Sequence, residues 1–301
     1  MSRTLIIGSN GYIGSRLIQE IDADGIDINW FRNGDKNIDF KDLTRDYYSE
    51  YDNIVLLAAH SSVKMSEGSL SSCFNNNVRN LINLFEKLDK QKLLYASSSS
   101  VYGSVGGKTV NEKYYKFEPY NQYDISKHVG DLYAEKSGIE FYGLRFGTVN
   151  GYSPFLRSDV MINAMVNSAL TDGYIKLYIK DTMRPILGVN DLCRAVKTII
   201  ECDEDKRGLY NLASFNKTAE QIAYEVAGVM GVEVKEFEAD PTQIENTKNQ
   251  TKAYNFSIST LKFRREFGFK FKDTVESLTN ELNCNWDKME KTNRSESKDY
   301  E

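Results

Sequence analysis

The chain has 301 residues, with 38 lysines and arginines against 43 aspartates and glutamates, so its formal net charge at pH 7 is -5. This balance excludes the strongly basic surface of a typical nucleic-acid-binding domain, and a composition that is 41% hydrophobic and 27% charged is that of an ordinary globular protein. No apolar run approaches the roughly 18 residues of a membrane span, and the N-terminus lacks a signal-peptide core of about 7 to 15 apolar residues, so we expect a cytoplasmic protein without a membrane partner.

The cysteines and histidines predict no metal site. The four cysteines, Cys73, Cys193, Cys202 and Cys284, form no C-x-x-C pair, and His60 and His128 are the two histidines of the sequence. Structural zinc sites and disulfide frameworks normally show such ligands in pairs or at regular spacing. We therefore expect neither.

The first half of the chain alternates short apolar runs with helical patterns. Because the runs show no polar alternation, they are typical of parallel strands covered on both faces, which predicts an α/β fold with a doubly wound parallel sheet. The predicted strands are Thr4–Ile7, Ile28–Phe31, Ile54–Ala59, Leu93–Ala96 and Phe141–Arg145. The predicted helices are Gly14–Asp22, Cys73–Leu88 and Asp159–Leu170, followed in the second half by Lys217–Met230 and Asp273–Leu282.

A glycine-rich turn follows the first strand. It reads Gly8-Ser-Asn10-Gly11-Tyr12-Ile13-Gly14 and leads into the first predicted helix. Glycines allow a tight turn and close approach of a pyrophosphate, and the helix N-terminus offers N–H groups and a positive dipole end. This position in the chain predicts a dinucleotide site formed by Gly8, Asn10, Gly11, Tyr12, Ile13 and Gly14.

The residue that closes the second predicted strand bears on the choice of dinucleotide. In this class an acid there usually accepts hydrogen bonds from the adenosine ribose, but the strand IDINWF leads into Arg32. An arginine can pair with a 2'-phosphate, which favours NADP(H) and leaves NAD(H) possible. The alternative is a solvated Arg32, with no preference between the two cofactors.

Two further motifs predict acid-base chemistry. In Tyr123-Asp-Ile-Ser-Lys127 the tyrosine and lysine lie one helical turn apart, and a neighbouring ammonium favours the phenolate that general catalysis by tyrosine requires. Upstream, the strand LLYA runs into Ser97-Ser-Ser-Ser100-Val-Tyr102-Gly103. Hydroxyls at that strand end lie at the ligand-binding edge of a doubly wound sheet.

Together these motifs resemble the extended short-chain dehydrogenase/reductases of the nucleotide-sugar epimerase and reductase group. The matching strings, in the family's order over about residues 4–285, are GSNGYIG, LLAA, FNNNVRNL, LLYASSSSVYG, YDISK, LRFGTVNGY, RPILGVNDL and GLYNLAS. The resemblance implies a Rossmann domain made of residues 1–150 plus about 185–213. It also implies a smaller C-terminal α/β substrate-binding region of about 151–184 plus 214–284. Residues 285–301 carry nine charges and are predicted to be a flexible tail.

The resemblance also implies roles for individual residues. Tyr123 is the acid/base that exchanges a proton with the sugar hydroxyl, Lys127 lowers its pKa and binds the nicotinamide ribose, and Ser98 binds the same sugar oxygen. Further cofactor contacts are expected at Asp39, Phe40, Leu57, Ala58, Ala59 and Asn77. Substrate contacts are expected at Ser61, Ser99, Thr148 and Arg184, with Arg184 on the diphosphate, while Asp191 is expected to secure the fold. Such relatives often form homodimers through two helices, which we expect here as well.

Departures from the family pattern narrow the predicted chemistry. Dehydratases carry an Asp-Glu pair where this chain has Ser99 and Ser100, and the Cys and His of 3,5-epimerases correspond to Ser100 and Ser153. What remains is hydride and proton transfer at carbon 4 of a nucleotide-diphosphate sugar. We predict a 4-keto-sugar-nucleotide reductase in glycan or polysaccharide biosynthesis, with a 4-epimerase that retains NAD as the alternative. A non-sugar ketone reductase and a non-catalytic dinucleotide-sensing module are less favoured, the latter because Tyr123 and Lys127 are both present.

Overall fold

The centre of the fold is a six-stranded parallel sheet, seen in a computed structural model that describes residues 2–28, 38–67, 70–238 and 254–292. In spatial order its strands are β11 (Gly208–Leu212), β6 (Phe141–Phe146), β4 (Lys92–Ser98), β3 (Asn53–Leu56), β1 (Thr4–Ile7) and β2 (Asp24–Ile26). Every neighbouring pair runs parallel. The predicted α/β Rossmann class is therefore confirmed.

Helices cover both faces of this sheet. Helices α1 (Tyr12–Glu20) and α8 (Val189–Ile200) pack on one face, where Leu17 and Leu192 join a buried cluster. Helices α5 (Asn80–Lys87) and α6 (Gln122–Ala134) pack on the other, where Leu84 and Ala134 belong to a second cluster. The fully buried residues of β1 and β3 explain why these strands read as unbroken apolar runs.

The strand order reverses between β1 and β3. The chain passes from β1 to β2 on one side and returns to place β3 on the other. Ligands of doubly wound sheets bind at such a reversal, outside the carboxyl ends of the strands. The glycine turn after β1 and the loop after β3 lie at this point.

A second region surrounds a separate apolar core. Its sheet consists of β7 (Thr148–Asn150), β10 (Met183–Gly188) and β12 (Phe215–Thr218), with β10 and β12 antiparallel. Helices α7 (Met161–Asp172), α9 (Ala219–Met230) and α11 (Val275–Asn285) contribute Ile162, Val226 and Leu278 to that core. The proposed domain boundaries stay a prediction.

The remaining elements are short. The paired strands are β5 (Thr109–Val110) with β14 (Ser257–Ile258), β9 (Tyr174–Leu177) with β13 (Glu233–Glu236), and β8 (Phe155–Arg157) with β15 (Glu290–Thr292). The other helices are α2 (Arg45–Ser49), α3 (Val63–Glu67), α4 (Leu70–Phe74) and α10 (Leu261–Phe267), and a π-helical turn at Asn75–Arg79 joins α4 to α5. Across the described ranges, no helix has the length and apolar character to cross a membrane.

Two sequence predictions differ from the structure. The second strand ends at Ile26 rather than beginning at Ile28, which lies past the strand and is 57% exposed; residues 29–31 of the predicted strand lie outside the described residues. The predicted flexible tail is wrong for its first part, because Glu290–Thr292 pairs with β8 and Met289 is buried in the second core. Burial of Met289, packing of Trp286 against the same core and pairing with β8 together hold a segment whose charge suggested disorder.

Candidate active site

The glycine turn is held against its neighbours by backbone contacts. Gly8 adopts φ +92°, and its N–H donates to the Ile26 carbonyl at 2.8 Å. A Cβ on Gly8 would lie 2.7 Å from the Ala58 amide nitrogen, and one on Gly14 would lie 2.0 Å from the Gly8 carbonyl oxygen. Both positions therefore require glycine, and the turn packs tightly between β1, α1 and the loop after β3.

Helix α1 begins directly at this turn. Gly11 is its N-cap, and within the described ranges no side chain caps the helix. An uncapped helix N-terminus beside a glycine turn is a site for phosphate groups, since backbone N–H groups and the helix dipole attract negative charge there. The turn thus fits the pyrophosphate of a dinucleotide. The Tyr12 side chain is directed elsewhere, because its hydroxyl donates to the Gly151 carbonyl at 2.9 Å.

The loop after β3 faces the glycine turn, and the two border a crevice at the carboxyl ends of β1 and β3. The N–H groups of Leu57 and Ala58 both donate to the Ile7 carbonyl, at 2.8 and 3.0 Å. Asn77 accepts the His60 N–H at 2.8 Å and donates to the Ser126 hydroxyl at 2.9 Å. The predicted cofactor residue Asn77 is therefore a buried link between this loop and α6, while a narrow cleft remains lined by Ala58, Ala59, Asn77, Ala96 and Lys127.

Helix α6 brings the predicted catalytic residues together. Asn121 caps it by accepting the Asp124 N–H at 3.0 Å, and the Lys127 ammonium lies 5.7 Å from the centre of the Tyr123 ring. Burial raises the pKa of Tyr123 to about 12, while a hydrogen bond with Ser98 and the charge of Arg157 act in the opposite direction. The structure thus brings Ser98, Tyr123 and Lys127 close together, and their catalytic roles stay a prediction.

Lys127 is held under the crevice by the end of β4. Its ammonium donates to the Ala96 carbonyl at 2.8 Å, and the residue is 8% exposed. Burial lowers its pKa to about 8, partly offset by the carboxylate of Asp131 one turn further along α6. Asp131 is itself paired with Arg145 at 2.8 Å. A buried ion pair thus lies behind the lysine.

Arg184 and Thr148 meet on the neighbouring strands β10 and β7. The Arg184 guanidinium donates weakly to the Thr148 hydroxyl at 3.5 Å and to the Tyr254 carbonyl at 3.4 Å. Its Nε is buried with no hydrogen-bond acceptor among the residues that the structure describes, and burial lowers the pKa of the side chain. In the described part of the chain no carboxylate pairs with it. This guanidinium is therefore suited to an anionic ligand.

The remaining predicted site residues make contacts that do not test their predicted roles. Asp39 caps a short 3-10 turn and pairs with Lys41 at 2.7 Å, while Phe40 packs in the core beside Tyr48. The Ser61 carbonyl accepts a hydrogen bond from Arg157 at 3.5 Å, Ser99 is buried, and Arg32 lies outside the described residues. The fold-securing role of Asp191 fits its contacts, since its buried carboxylate accepts the N–H groups of Lys272 and Asp273.

Sequence reasoning missed four residues near the site. Asp27 directly follows β2 and accepts the Asn10 N–H at 2.9 Å, but the misplaced second strand concealed it. Asp124 stands inside the quoted YDISK string, so its signal was available. Arg157 and Tyr254 come from β8 and from the segment before β14, and no motif in the sequence marks either one.

Known proteins share both the sequence pattern and the fold. Residues 4–213 match the model of the NAD-dependent epimerase/dehydratase family. Protein CapI of Staphylococcus aureus is 25% identical over 66% of this chain and 69% of its own length. A putative UDP-glucose 4-epimerase of Methanocaldococcus jannaschii is 29% identical over 57% of this chain and 63% of its own, less than two thirds of that protein.

The structural likeness extends over nearly the whole chain. The structure of MoeE5 in complex with UDP-glucuronic acid and NAD superimposes with a TM-score of 0.77 at 20% identity, covering 93% of this chain and 97% of MoeE5. At this identity the similarity establishes a common fold.

Proposed function

Because the chain belongs to the NAD-dependent epimerase/dehydratase family, we propose that it oxidises and reduces carbon 4 of a nucleotide-diphosphate sugar. The chain is an enzyme of this family that uses a nicotinamide dinucleotide. The observation that carries the proposed substrate class is Arg184, whose buried Nε has no acceptor among the described residues. A diphosphate would supply that acceptor. Tyr254 connects Arg184 to the start of α6, since the Tyr254 carbonyl accepts from Arg184 and the Tyr254 hydroxyl donates to Asp124, the neighbour of Tyr123.

The proposed cofactor site is the crevice between β1 and β3. The turn at Gly8–Gly14 and the uncapped start of α1 would hold the pyrophosphate, Ala58 and Ala59 would border the adenosine, and Lys127 would donate to the nicotinamide ribose. When bound, the nicotinamide supplies hydride transfer at carbon 4.

In the proposed reaction Tyr123 exchanges a proton with the 4-hydroxyl of the sugar. Ser98 holds the same oxygen, since its hydroxyl already interacts with the phenol. Lys127 and Arg157 provide positive charge near the phenol, which favours the phenolate in the oxidation direction. Burial opposes ionisation of Tyr123, so the enzyme needs these donors and charges close to the ring.

We propose that the reaction changes carbon 4 only, without the dehydration or 3,5-epimerisation that some relatives carry out. Ser99 and Ser100 follow Ser98 where dehydratases carry two acids. Ser153, at the position of the base in 3,5-epimerases, is fully buried, and its hydroxyl donates to the Tyr12 carbonyl at 2.6 Å. Neither a second acid nor a second base is supplied by these positions.

Of the two carbon-4 reactions that the sequence left open, we favour 4-epimerisation over the net 4-keto reduction that the sequence suggested. The reductase prediction depended on Arg32, whereas the acid at the observed end of β2 is Asp27. A carboxylate there suits an unphosphorylated ribose and hence NAD(H). The similarity to a putative UDP-glucose 4-epimerase supports the same choice. The NADPH-dependent reductase remains the second candidate.

The first experiment is to denature the purified protein and identify any released nucleotide by mass spectrometry, then to titrate the stripped protein with NADH and NADPH. Turnover of UDP- and dTDP-linked sugars and their 4-keto forms follows by NMR. Retained NAD(H) with exchange of carbon-4 epimers supports the epimerase, and empty protein that prefers NADPH and reduces a 4-keto sugar supports the reductase. If no nucleotide sugar changes at carbon 4, the proposed function is wrong. The Tyr123→Phe variant is the inactive control, expected to lose roughly 100-fold to 10,000-fold in rate.

A further inference from the structure

The side chain of Tyr12, in the glycine turn, has no part in the proposed reaction. Tyr12 is the first residue of α1 and is 6% exposed, because its ring packs in the second apolar core. The other buried members of that core all come from residues 156–289. Tyr12 is therefore a point at which the turn proposed to bind the pyrophosphate enters the second region.

The Tyr12 hydroxyl makes two hydrogen bonds to this second region. It donates to the Gly151 carbonyl at 2.9 Å and accepts from the Asn163 side-chain amide at 3.2 Å. Asn163, which is 0% exposed, also accepts the Gly151 N–H at 3.0 Å. The three groups close a small hydrogen-bonded ring that joins the start of α1 to the loop after β7 and to α7.

Asn163 extends this ring to β8. Its side-chain amide also donates to the Arg157 carbonyl at 2.8 Å. The Arg157 guanidinium pairs with Asp159 at 2.9 Å and donates weakly to the Ser61 carbonyl, in the loop after β3, at 3.5 Å. These contacts therefore run from one side of the dinucleotide crevice, through the second region, to the other side.

The backbone of Tyr12 is bound to the second region as well. The buried Ser153 hydroxyl donates to the Tyr12 carbonyl at 2.6 Å, and its oxygen lies 2.8 Å from the Ser15 hydroxyl oxygen. This second link holds the first turn of α1 to the loop after β7. Of the contacts described, the one through the Tyr12 phenol reaches Asn163 and hence Arg157.

We propose that Tyr12 is a positioning residue that couples dinucleotide binding at the glycine turn to the placement of β8, and so of Arg157, on the sugar side of the site. A ligand that fixes the start of α1 also restrains the groups bonded to it, which lowers the cost of ordering them when the second ligand binds. The role of Arg157 towards a sugar rests on the proposed function, whereas the link from Tyr12 to β8 does not.

The first test needs no sugar. Hydrogen exchange, followed by mass spectrometry, is compared for the stripped protein and for the protein saturated with NADH, or with NADPH if the titration shows that it binds instead. The variant is Tyr12→Phe, which keeps the ring and loses the hydroxyl. In the parent the dinucleotide should slow exchange in residues 150–163 as well as in the glycine turn.

In Tyr12→Phe the glycine turn should still be protected by the dinucleotide. The slowing of exchange in residues 150–163 should become about twofold to tenfold weaker, which corresponds to the loss of a neutral hydrogen bond. Equal slowing of these residues in both proteins overturns the proposal, and so does its absence from the parent.

The matched control is Tyr142→Phe. Tyr142 is 0% exposed and lies at the amino end of β6, away from the crevice at the carboxyl ends of the strands. Its hydroxyl also makes two hydrogen bonds, donating to Glu140 at 2.9 Å and accepting the Lys206 N–H at 3.1 Å. The control should retain the effect of the dinucleotide on residues 150–163. If both variants lose that effect, it reflects lowered stability and the proposal is wrong.

The second test is made with the nucleotide sugar that the parent turns over. In Tyr12→Phe the Kd of the dinucleotide should change less than about twofold, while KM for the sugar rises about threefold to tenfold. A Tyr12 side chain that contacted the cofactor would instead weaken dinucleotide binding. A purely structural Tyr12 would lower the melting temperature, as Tyr142→Phe does, and leave both constants unchanged.

The outcomes separate this role from the proposed function. If no nucleotide sugar reacts with the parent, the proposed function fails, and the exchange experiment still decides whether Tyr12 links the turn to β8. If the sugar reacts but Tyr12→Phe matches the parent in exchange and in KM, the positioning role fails alone. Should Tyr12→Phe not fold, Asn163→Ala, which removes the next link, must weaken the slowing of exchange in the same residues.

Discussion

At the residue scale, the burial of Lys127 makes the stability of the protein depend on pH. Burial lowers the pKa of this lysine from 10.5 to about 8 in the folded state. Between these values the unfolded chain holds a proton that the folded chain has released, so stability rises with pH across that window. Below it both states are protonated, and the full penalty of burying the charge is present.

We predict that Lys127→Met removes this dependence. From about pH 8 to about pH 10, the parent should gain about 2 kcal/mol in free energy of unfolding relative to the variant. The measurement is urea unfolding of both proteins at several pH values across this window, where ionisation of the unfolded tyrosines affects both proteins alike and cancels in the difference. A constant difference between the two proteins across that range contradicts the assigned burial of the charge.

We predict that Arg184 contributes to binding of the nucleotide sugar rather than to stability. Among the described residues its buried guanidinium Nε has no acceptor and no carboxylate pairs with the charge, so Arg184→Met should leave the melting temperature unchanged or higher, because a buried charge without a counter-ion is replaced by an apolar side chain of similar length. KM for the nucleotide sugar should rise about 10-fold to 100-fold, the range of a charged hydrogen bond. Thermal unfolding and steady-state kinetics check both parts. Arg207→Met, which removes an exposed arginine paired with Asp205, should alter neither.

The sequence located those residues whose role follows from local spacing. Tyr123 and Lys127 were found because one helical turn separates them, and Ser98 because it ends a buried strand. Asp27 was missed because its role depends on where β2 ends, and Arg157 and Tyr254 because only the packing of distant segments brings them near the site. Local sequence patterns therefore identify the candidate acid-base groups more readily than the residues that surround them in the fold.

At the scale of elements, the glycine turn between β1 and α1 leaves no room for a Cβ at Gly8 or Gly14. We predict that Gly14→Ala weakens dinucleotide binding at least tenfold and lowers stability by about 1 to 3 kcal/mol, because its Cβ would overlap the Gly8 carbonyl oxygen and force backbone to move. Isothermal titration with NAD and thermal unfolding measure the two effects.

The matched control is Gly228→Ala, within α9. A Cβ there meets no atom within 4 Å, so the substitution should stabilise the helix by about 0.5 to 1 kcal/mol and leave dinucleotide binding alone. Equal effects of the two substitutions would show that helical glycine as such, rather than the close contact at the turn, explains the result.

Buried central strands were predicted from the sequence, whereas the edge strand β2 was misplaced and β15 was missed. The strands β1, β3 and β4 were predicted because they are buried on both faces and read as apolar runs. The strand β2 lies at the edge of the sheet and contains Asp24 and Gly25, two residue types that are rare in strands. The prediction was therefore placed on the more apolar IDINWF that follows. The strand β15 was missed because its pairing with β8 depends on backbone hydrogen bonds and on one buried side chain, Met289.

At the scale of the whole molecule, three large apolar side chains are exposed on α4 and α6, two helices that contact each other. Phe74 is 51% exposed on α4, and Ile125 and Leu132 are 38% and 51% exposed on α6. Ile125 and Leu132 are seven residues apart and so share a helix face. Exposed apolar surface of this kind marks an interaction site, and we propose that a second copy of the chain covers it, as the resemblance to homodimeric relatives implies.

We predict that Leu132→Asp converts a dimer to a monomer, because a carboxylate at the centre of a paired apolar face would be buried without a partner. Light scattering coupled to size exclusion measures the mass of each protein at matched concentration. Leu170→Asp replaces an equally large side chain that is 43% exposed on α7, away from the proposed interface, and should keep the parent's mass. If the parent is already a monomer, or if both variants behave alike, the proposed dimer face is wrong. Helix α6 also carries Tyr123 and Lys127, so a dimer formed here would restrict the motion of the helix that holds the proposed acid/base. Leu132→Asp should then lower both the measured mass and the rate of turnover.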